Sequence, residues 1–280
     1  MSADWRQWPL LKPLDRGWRI LATGFCFACF GVGGVLLGLT VLPVLYLISA
    51  DNQQLRRRFQ RAVHHSFAFF VWQMKSLGLL TWEVRGLEKL AGSGQLIIAN
   101  HPSLIDVVFL ISLLPETDCV VKQALLVNPF TRPPIRAAGY IANRDSAQVV
   151  EDCAAALRAG RNLLIFPEGT RTVPGEPIRL LRGTANIALR AGAPLRPVLI
   201  RCSPPALTKC LRWYQVPYRP MHFSIEVRDA IDLADFRRDQ CSQPVAARRL
   251  TRHLEQYLSQ EVATMVHQPE GQAAASAISG

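Results

Sequence analysis

The sequence predicts an α/β domain carried behind an apolar, membrane-associated N-terminal segment. Three observations carry that expectation. No charged residue occurs from Ile20 to Ala50; after Trp82 short β-branched runs alternate with helical stretches; and of 280 residues 49% are hydrophobic and only 19% charged, with a mean hydropathy of +0.13. A chain this apolar is not a disordered one, and its length suits one catalytic-size domain plus an accessory segment. Three sections are expected: membrane-anchoring and interfacial helices over 1–80, the α/β domain over 81–235, and a C-terminal amphipathic helix with a disordered tail over 236–280.

The uncharged run exceeds the 20 or so residues that cross a bilayer. As one straight helix its residues would extend about 46 Å, against a hydrocarbon core of about 30 Å. It must therefore tilt or bend. Gly31, Gly33, Gly34 and Pro43 are the weak points, and a single tilted span and a re-entrant hairpin both remain open. Both flanks are basic, with Arg6, Lys12, Arg16 and Arg19 before and Arg56, Arg57, Arg58 and Arg61 after, which leans towards both ends being cytoplasmic. Residues 62–82 mix Phe, Trp and Leu with His64, His65, Gln73 and Lys75, the composition of a helix lying in the headgroup region.

Beyond Trp82, candidate strands are TWEVRG, QLIIAN, CVVK, GYIAN, NLLIFP, RPVLI and FSIEV. Leu104–Leu114, Gln148–Ala159 and Thr184–Ala191 read as helices, the last two closed by Gly160 and Gly192 as left-handed caps. Leu250, Leu254, Tyr257, Leu258 and Val262 recur at helical spacing, which predicts a C-terminal amphipathic helix beyond Pro244. The formal net charge of +11 admits a nucleic acid or an anionic lipid surface as partner. No basic face with interleaved aromatics and no recognisable nucleic-acid module is present, so nucleic acid is set aside. The arginines at 56–61 lie beside the apolar run, where anionic headgroups account for them. Seven scattered cysteines lack the spacing of a disulfide framework and fit reduced thiols in a cytosol-facing compartment.

Chemistry concentrates where strands end. QLIIAN runs into His101, Pro102 and Ser103, then a helix containing Asp106; in an open α/β sheet that corner is where ligands bind. Five residues apart, His101 and Asp106 would not share a helix face, but Pro102 leaves His101 outside the helix, where its ring can meet a carboxylate from the first turn. A carboxylate on one imidazole nitrogen fixes the tautomer and raises the basicity of the other, as a general base requires. Ser103 and Asp106 also fit a helix capping box, which alone would explain the carboxylate. At the end of NLLIFP comes Phe166-Pro167-Glu168-Gly169-Thr170-Arg171, a carboxylate and a guanidinium in a glycine loop suited to an anion. Between these lies Gly139-Tyr140-Ile141-Ala142-Asn143-Arg144, and after them Ala193-Pro194-Leu195-Arg196-Pro197-Val198. No nucleophile elbow of a serine hydrolase is found.

Taken in order, N-H-P-S-L-I-D at 100–106, G-Y-I-A-N-R at 139–144, F-P-E-G-T-R at 166–171 and A-P-L-R-P-V at 193–198 resemble the four motifs of the glycerolipid acyltransferases, nearest to the bacterial 1-acylglycerol-3-phosphate acyltransferases. The resemblance covers roughly residues 80–235. It implies a mixed, mainly parallel central sheet flanked by helices, the glycerolipid acyltransferase fold, and makes 81–235 an acyltransferase domain. It further implies that His101 removes the proton of the acceptor hydroxyl, that Asp106 orients it, and that the hydroxyl attacks an acyl thioester directly. Arg144, Glu168, Gly169, Thr170 and Arg171 would hold the acceptor's polar head, and Pro197 would line the acyl-donor side. The donor is a coenzyme A or acyl carrier protein thioester; no metal and no other cofactor is implied. The setting implied is the bacterial inner membrane with the catalytic domain facing the cytoplasm.

Two positions depart from the phosphatidate-forming pattern: Asn143 stands where an Asp commonly precedes the Arg, and Leu181-Arg182-Gly183 stands where a Lys-Lys-Gly stretch is common. Both fall near the expected head-group pocket. A lyso-ornithine lipid or a polyene-type lipid anchor is therefore an alternative acceptor. From another class, a catalytically silent lipid-binding membrane protein is the rival.

Overall fold

The computed structural model describes residues 12–127, 132–143, 146–173, 175–238 and 242–267. The chain opens on a long helical run made of α1 (Lys12–Leu36), a π-helical turn (Leu37–Val41) and α2 (Leu42–Ile48). The helix passes through Gly31, Gly33 and Gly34 unbroken. Its irregularity falls instead just before Pro43, whose missing N–H and ring cannot accept the ordinary i−4 geometry, so Leu42 donates back to the Leu37 carbonyl. Pro13–Ile48 is long and apolar enough to cross a membrane by length and composition.

After Asp51, whose side chain caps Gln54 N–H at 2.7 Å, α3 (Asn52–Ser76) runs back antiparallel. The pairing shows in Trp18 Nε1 donating to Leu77 O, in Phe27 against Phe70 and Phe30 against Phe67, and in Arg58 donating to Ile48 O. The helix expected over 62–82 is therefore ten residues longer at its start and stops at Ser76. Gly78, at φ +71°, ends it with Leu79 N–H on Met74 O, and Leu80 already belongs to the first strand. Nor does it lie only in an interface: Phe59, Gln60, Val63, Phe70, Val71 and Met74 are buried within the domain. His64 accordingly docks α3, its Nδ1 lying 3.0 Å from Ile111 O.

The strands are β1 (Leu80–Arg85), β2 (Leu96–Ala99), β3 (Asp118–Lys122), β4 (Ile141–Asn143), β5 (Leu163–Ile165), β6 (Leu195–Ser203) and β7 (Met221–Val227). They form one sheet in the order β1-β7-β6-β2-β5-β3-β4, parallel throughout except for β6 with β7. This is the mixed, mainly parallel sheet expected. Between strands lie a 3-10 turn (Leu87–Leu90), α4 (Asp106–Leu113), α5 (Ala124–Val127), α6 (Arg132–Ala137), α7 (Ser146–Arg158), α8 (Gly183–Ala191) and α9 (Ala234–Arg238), with α10 (Gln243–His267) closing the described chain. The two faces of the sheet are covered differently. Side chains of α1, α3 and α4 pack on Ile97, Ala99 and Phe223, whereas those of α7, α8 and α10 pack on Leu96, Ile98 and Leu163. Alternation along β2 sends successive side chains to opposite faces. Gly160 and Gly192 take left-handed angles, φ +75° and +69°, as the cap positions require. The expected disordered tail lies outside the described residues.

Candidate active site

The C-terminal edge of the sheet gathers the site. Asn100 extends β2 beyond its last backbone pair by exchanging two 2.8 Å side-chain hydrogen bonds with the main chain of Ile200 on β6. His101 follows outside any helix, while Asp106 is the first residue of α4 and is fully buried. The two meet: His101 Nδ1 lies 2.8 Å from Asp106 Oδ2. Ser103 supplies the other donors, its N–H to Oδ2 at 2.7 Å and its hydroxyl to Oδ1 at 2.6 Å. The capping-box spacing is thus real, but the Ser103 hydroxyl serves the carboxylate instead of the N3 amide.

The ionised carboxylate can accept all three of these bonds, from Ser103 N–H, the Ser103 hydroxyl and a protonated His101 Nδ1. Burial pushes the Asp106 carboxyl upward from the usual carboxylate range, and the bonds from His101 and Ser103 pull against it. When Asp106 is ionised and only accepts, Nδ1 carries the proton, which leaves Nε2 as the basic nitrogen. Phe166 packs on the imidazole with ring centroids 4.3 Å apart and holds its plane.

The loop after β5 holds the same corner from the other side. Glu168 Oε1 accepts the backbone N–H of His101 at 3.0 Å and the hydroxyl of Thr172 at 2.8 Å, and Thr172 N–H returns to His101 O at 2.7 Å. Burial raises the Glu168 carboxyl, opposed by those two donors. Gly169 sits at φ +66°, in a turn whose N–H bonds Phe166 O. Arg171 does not project as a free cation: its Nη1 donates to Leu207 O and Thr208 O, both at 2.9 Å.

His101, Gly169, Thr170 and Arg171 line a cleft of about 700 Å³ that runs between α4, β3, β5 and α8. Apolar walls from Leu104, Val107 and Ile187 suit an acyl chain, and the cations Lys122 and Lys209 also line the cleft. Burial pushes the thiols of Cys119, on the cleft wall, and Cys202 up to about 12, so neither supplies a thiolate nucleophile.

Two findings place the domain among known proteins. Residues 81–201 match the family model described as Acyltransferase. The 1-acyl-sn-glycerol-3-phosphate acyltransferase of Pseudomonas aeruginosa is 30% identical over 51% of this chain and 58% of its own length. Residues 81–201 thus form an acyltransferase domain, similar in sequence to the 1-acyl-sn-glycerol-3-phosphate acyltransferases. The lyso-ornithine lipid O-acyltransferase of Pseudomonas aeruginosa is 34% identical over 55% of this chain and 57% of its own length. Among solved structures, the 1-acyl-sn-glycerophosphate acyltransferase of Thermotoga maritima superposes with a TM-score of 0.64 at 16% identity, over 92% of this chain and 99% of that one, a likeness of fold. The chain thus spans little more than half the length of these two curated relatives.

Within this acyltransferase domain the positions expected from sequence separate into three groups. His101, Asp106, Glu168, Gly169, Thr170 and Arg171 converge on one strand-end corner. Pro197 does not join them: it is buried inside β6 opposite Ile98, its carbonyl accepting from Arg228 N–H, and it is not among the residues lining the cleft. Arg144 lies outside the described residues. Lys122 and Lys209 add two cations to the cleft beyond those expected from sequence. Lys122 has a local signal, since it ends the CVVK strand as Arg144 follows GYIAN; Lys209 has none, because the long β6–β7 connection brings it to the cleft.

Proposed function

We propose that this chain transfers a fatty acyl group from an acyl thioester to the hydroxyl of a lysophospholipid of the 1-acylglycerol-3-phosphate class. The observation that carries the reading is the 2.8 Å contact of His101 with buried Asp106, at a strand end opening on a cleft with apolar walls. His101 Nε2 takes the acceptor's hydroxyl proton as its oxygen bonds to the thioester carbonyl carbon. The carbon–sulfur bond then breaks, and the proton passes from the imidazole to the departing thiolate, so no acyl-enzyme forms. Asp106 stabilises the imidazolium between those steps. Ser103 and Glu168 act by holding Asp106 and the His101 backbone. Lys122 and Lys209 face the acceptor's anionic head, with Arg144 as the third cation of the reading; the apolar walls hold the acyl chain.

The helical hairpin is the lipid-facing part. Leu21, Leu39 and Leu47 are more than two-thirds exposed on α1, the π turn and α2, and Phe69 and Trp72 are exposed on α3. Such a surface is covered by the cytoplasmic face of a bacterial inner membrane in this reading. A lyso-ornithine lipid is the second acceptor, favoured by the neutral Asn143 on the cleft wall and by the similarity to the lyso-ornithine lipid O-acyltransferase.

Membranes containing the chain, offered labelled acyl thioester and a panel of lysolipids, test the reading beside His101→Ala. Acylation of one acceptor by the wild type and not by the variant is the expected result. Equal inactivity of both with lysolipid binding retained would leave a lipid-binding protein and remove the catalytic role.

A further inference from the structure

Away from the cleft, the face of the sheet opposite the hairpin carries a concentration of arginine that the reaction does not use. Two shallow hollows, of about 490 and 340 Å³, lie along α10 and share Arg248. The first is lined by Arg182 and Arg190 from α8 and its leading loop, the second by Arg249 and Arg252. No Asp or Glu lines either hollow among the described residues. Arg190 is held by Glu151, whereas Arg182, Arg248 and Arg252 stand exposed at the surface. The junction of α8 with α10 is built, since Glu255 of α10 accepts the backbone N–H of Leu180 at 2.9 Å.

The furrow is continuous with the cleft. Val150 and Gly183 line both the first hollow and the cleft that holds His101. A lipid acceptor brought by the hairpin approaches from the α3–α4 face, and a soluble donor approaching from the α8–α10 face would meet it at the strand ends. Like-signed charge laid over successive turns of an exposed helix makes an extended field, suited to an acidic surface more than to one phosphate cluster.

We propose that the arginine furrow between α8 and α10 is the docking surface of the acyl donor, and that this donor is an acidic acyl carrier protein whose thioester arm enters the cleft past Val150 and Gly183. The inference rests on the acyl-transfer reading. It assigns Arg182, Arg248 and Arg252 to recognition of the carrier's acidic surface, outside the reacting groups.

The test compares the full chain with an Arg248→Glu/Arg252→Glu double variant and a double variant to Lys, all in detergent micelles. Hexadecanoyl-acyl carrier protein and hexadecanoyl-coenzyme A are offered as alternative donors to one acceptor. The expected result is a rise of about tenfold or more in KM for the carrier donor, with kcat unchanged, coenzyme A kinetics within twofold, and recovery in the Lys variant. Equal losses with both donors, or no change with either, would overturn the proposal. Binding of the unacylated holo-carrier, read by fluorescence anisotropy and weakening as salt rises, separates this inference from the one beneath it. Carrier binding without acyl transfer would sink the acyl-transfer reading and keep the surface; transfer from coenzyme A with no carrier binding would do the reverse.

Discussion

The carboxylate of Glu168 accepts the main-chain N–H of His101 at 3.0 Å, so the loop after β5 holds the proposed base by its backbone. The bond also ties the first motif to the third across 67 residues of sequence. Glu168→Ala leaves that N–H without its partner, which costs about 1–3 kcal/mol, and frees His101 to shift. Glu168→Gln keeps an oxygen able to accept from both His101 and Thr172. Acyl transfer is therefore expected to fall at least a hundredfold in the Ala variant and less than tenfold in the Gln variant. A Gln variant as inactive as Ala would show that the charge, and not the backbone tie, is what matters.

Asp106→Asn separates catalysis from stability. The amide cannot stabilise an imidazolium, so acyl transfer is expected to drop by about 10²–10⁴-fold. Stability moves the other way with pH. Because burial raises this carboxyl above its unfolded value, the folded chain binds the proton more tightly, and wild-type stability falls as pH rises from the unfolded to the folded pKa. The Asn variant lacks that loss. Thermal midpoints of both proteins, followed upward from about pH 4, should show the variant gaining on the wild type as pH rises. A gap that closes with rising pH would contradict the assigned direction.

Asp118 joins the hairpin to the sheet and predicts a structural effect remote from the chemistry. Its Oδ1 accepts from Gln60 of α3 at 2.9 Å with Arg56 at 3.6 Å, and its Oδ2 pairs with Arg161 at 2.8 Å. Gln60 also donates to Ala138 O at 2.7 Å. Removing the carboxylate strands two partly buried guanidiniums against a polar side chain that has lost its acceptor. Asp118→Ala is expected to cost about 3 kcal/mol and to raise amide exchange along α3 more than along α8. Uniform exchange in both helices would argue against a local tie.

What the sequence made legible follows the range of the interactions involved. All seven strands showed themselves as short apolar or β-branched runs, because the sheet is covered on both faces; the central β2 and β5 are buried at every position. The His101–Asp106 pair was legible because Pro102 and the helix start are local. Asp118 was not: a single Asp before CVVK carries no periodicity, and its partners come from α3 and the loop before β5. Arg171 shows the same limit, since the carbonyls of Leu207 and Thr208 that occupy its guanidinium arrive from the β6–β7 connection. The hairpin's irregularity followed Pro43 instead of the glycine cluster, because glycines lower helix propensity without removing a hydrogen bond, whereas proline removes one.

Gly169 offers a test that separates backbone strain from crowding in the cleft wall. At φ +66° an L side chain costs about 1–2 kcal/mol. A β-carbon there would also stand 2.6 Å from Leu181 Cδ1, but that atom is the end of a side chain 56% exposed and able to turn away. Strain should therefore dominate. The turn bonds Phe166 O, and Phe166 packs on His101, so relief of the strain moves the imidazole. Gly169→Ala is expected to lower kcat/KM at least tenfold with the loss mainly in kcat. Adding Leu181→Ala removes the steric contact and leaves φ untouched, so the double variant should recover less than threefold. Full recovery would transfer the effect from the backbone to Leu181 and make the residue's role one of cleft shape.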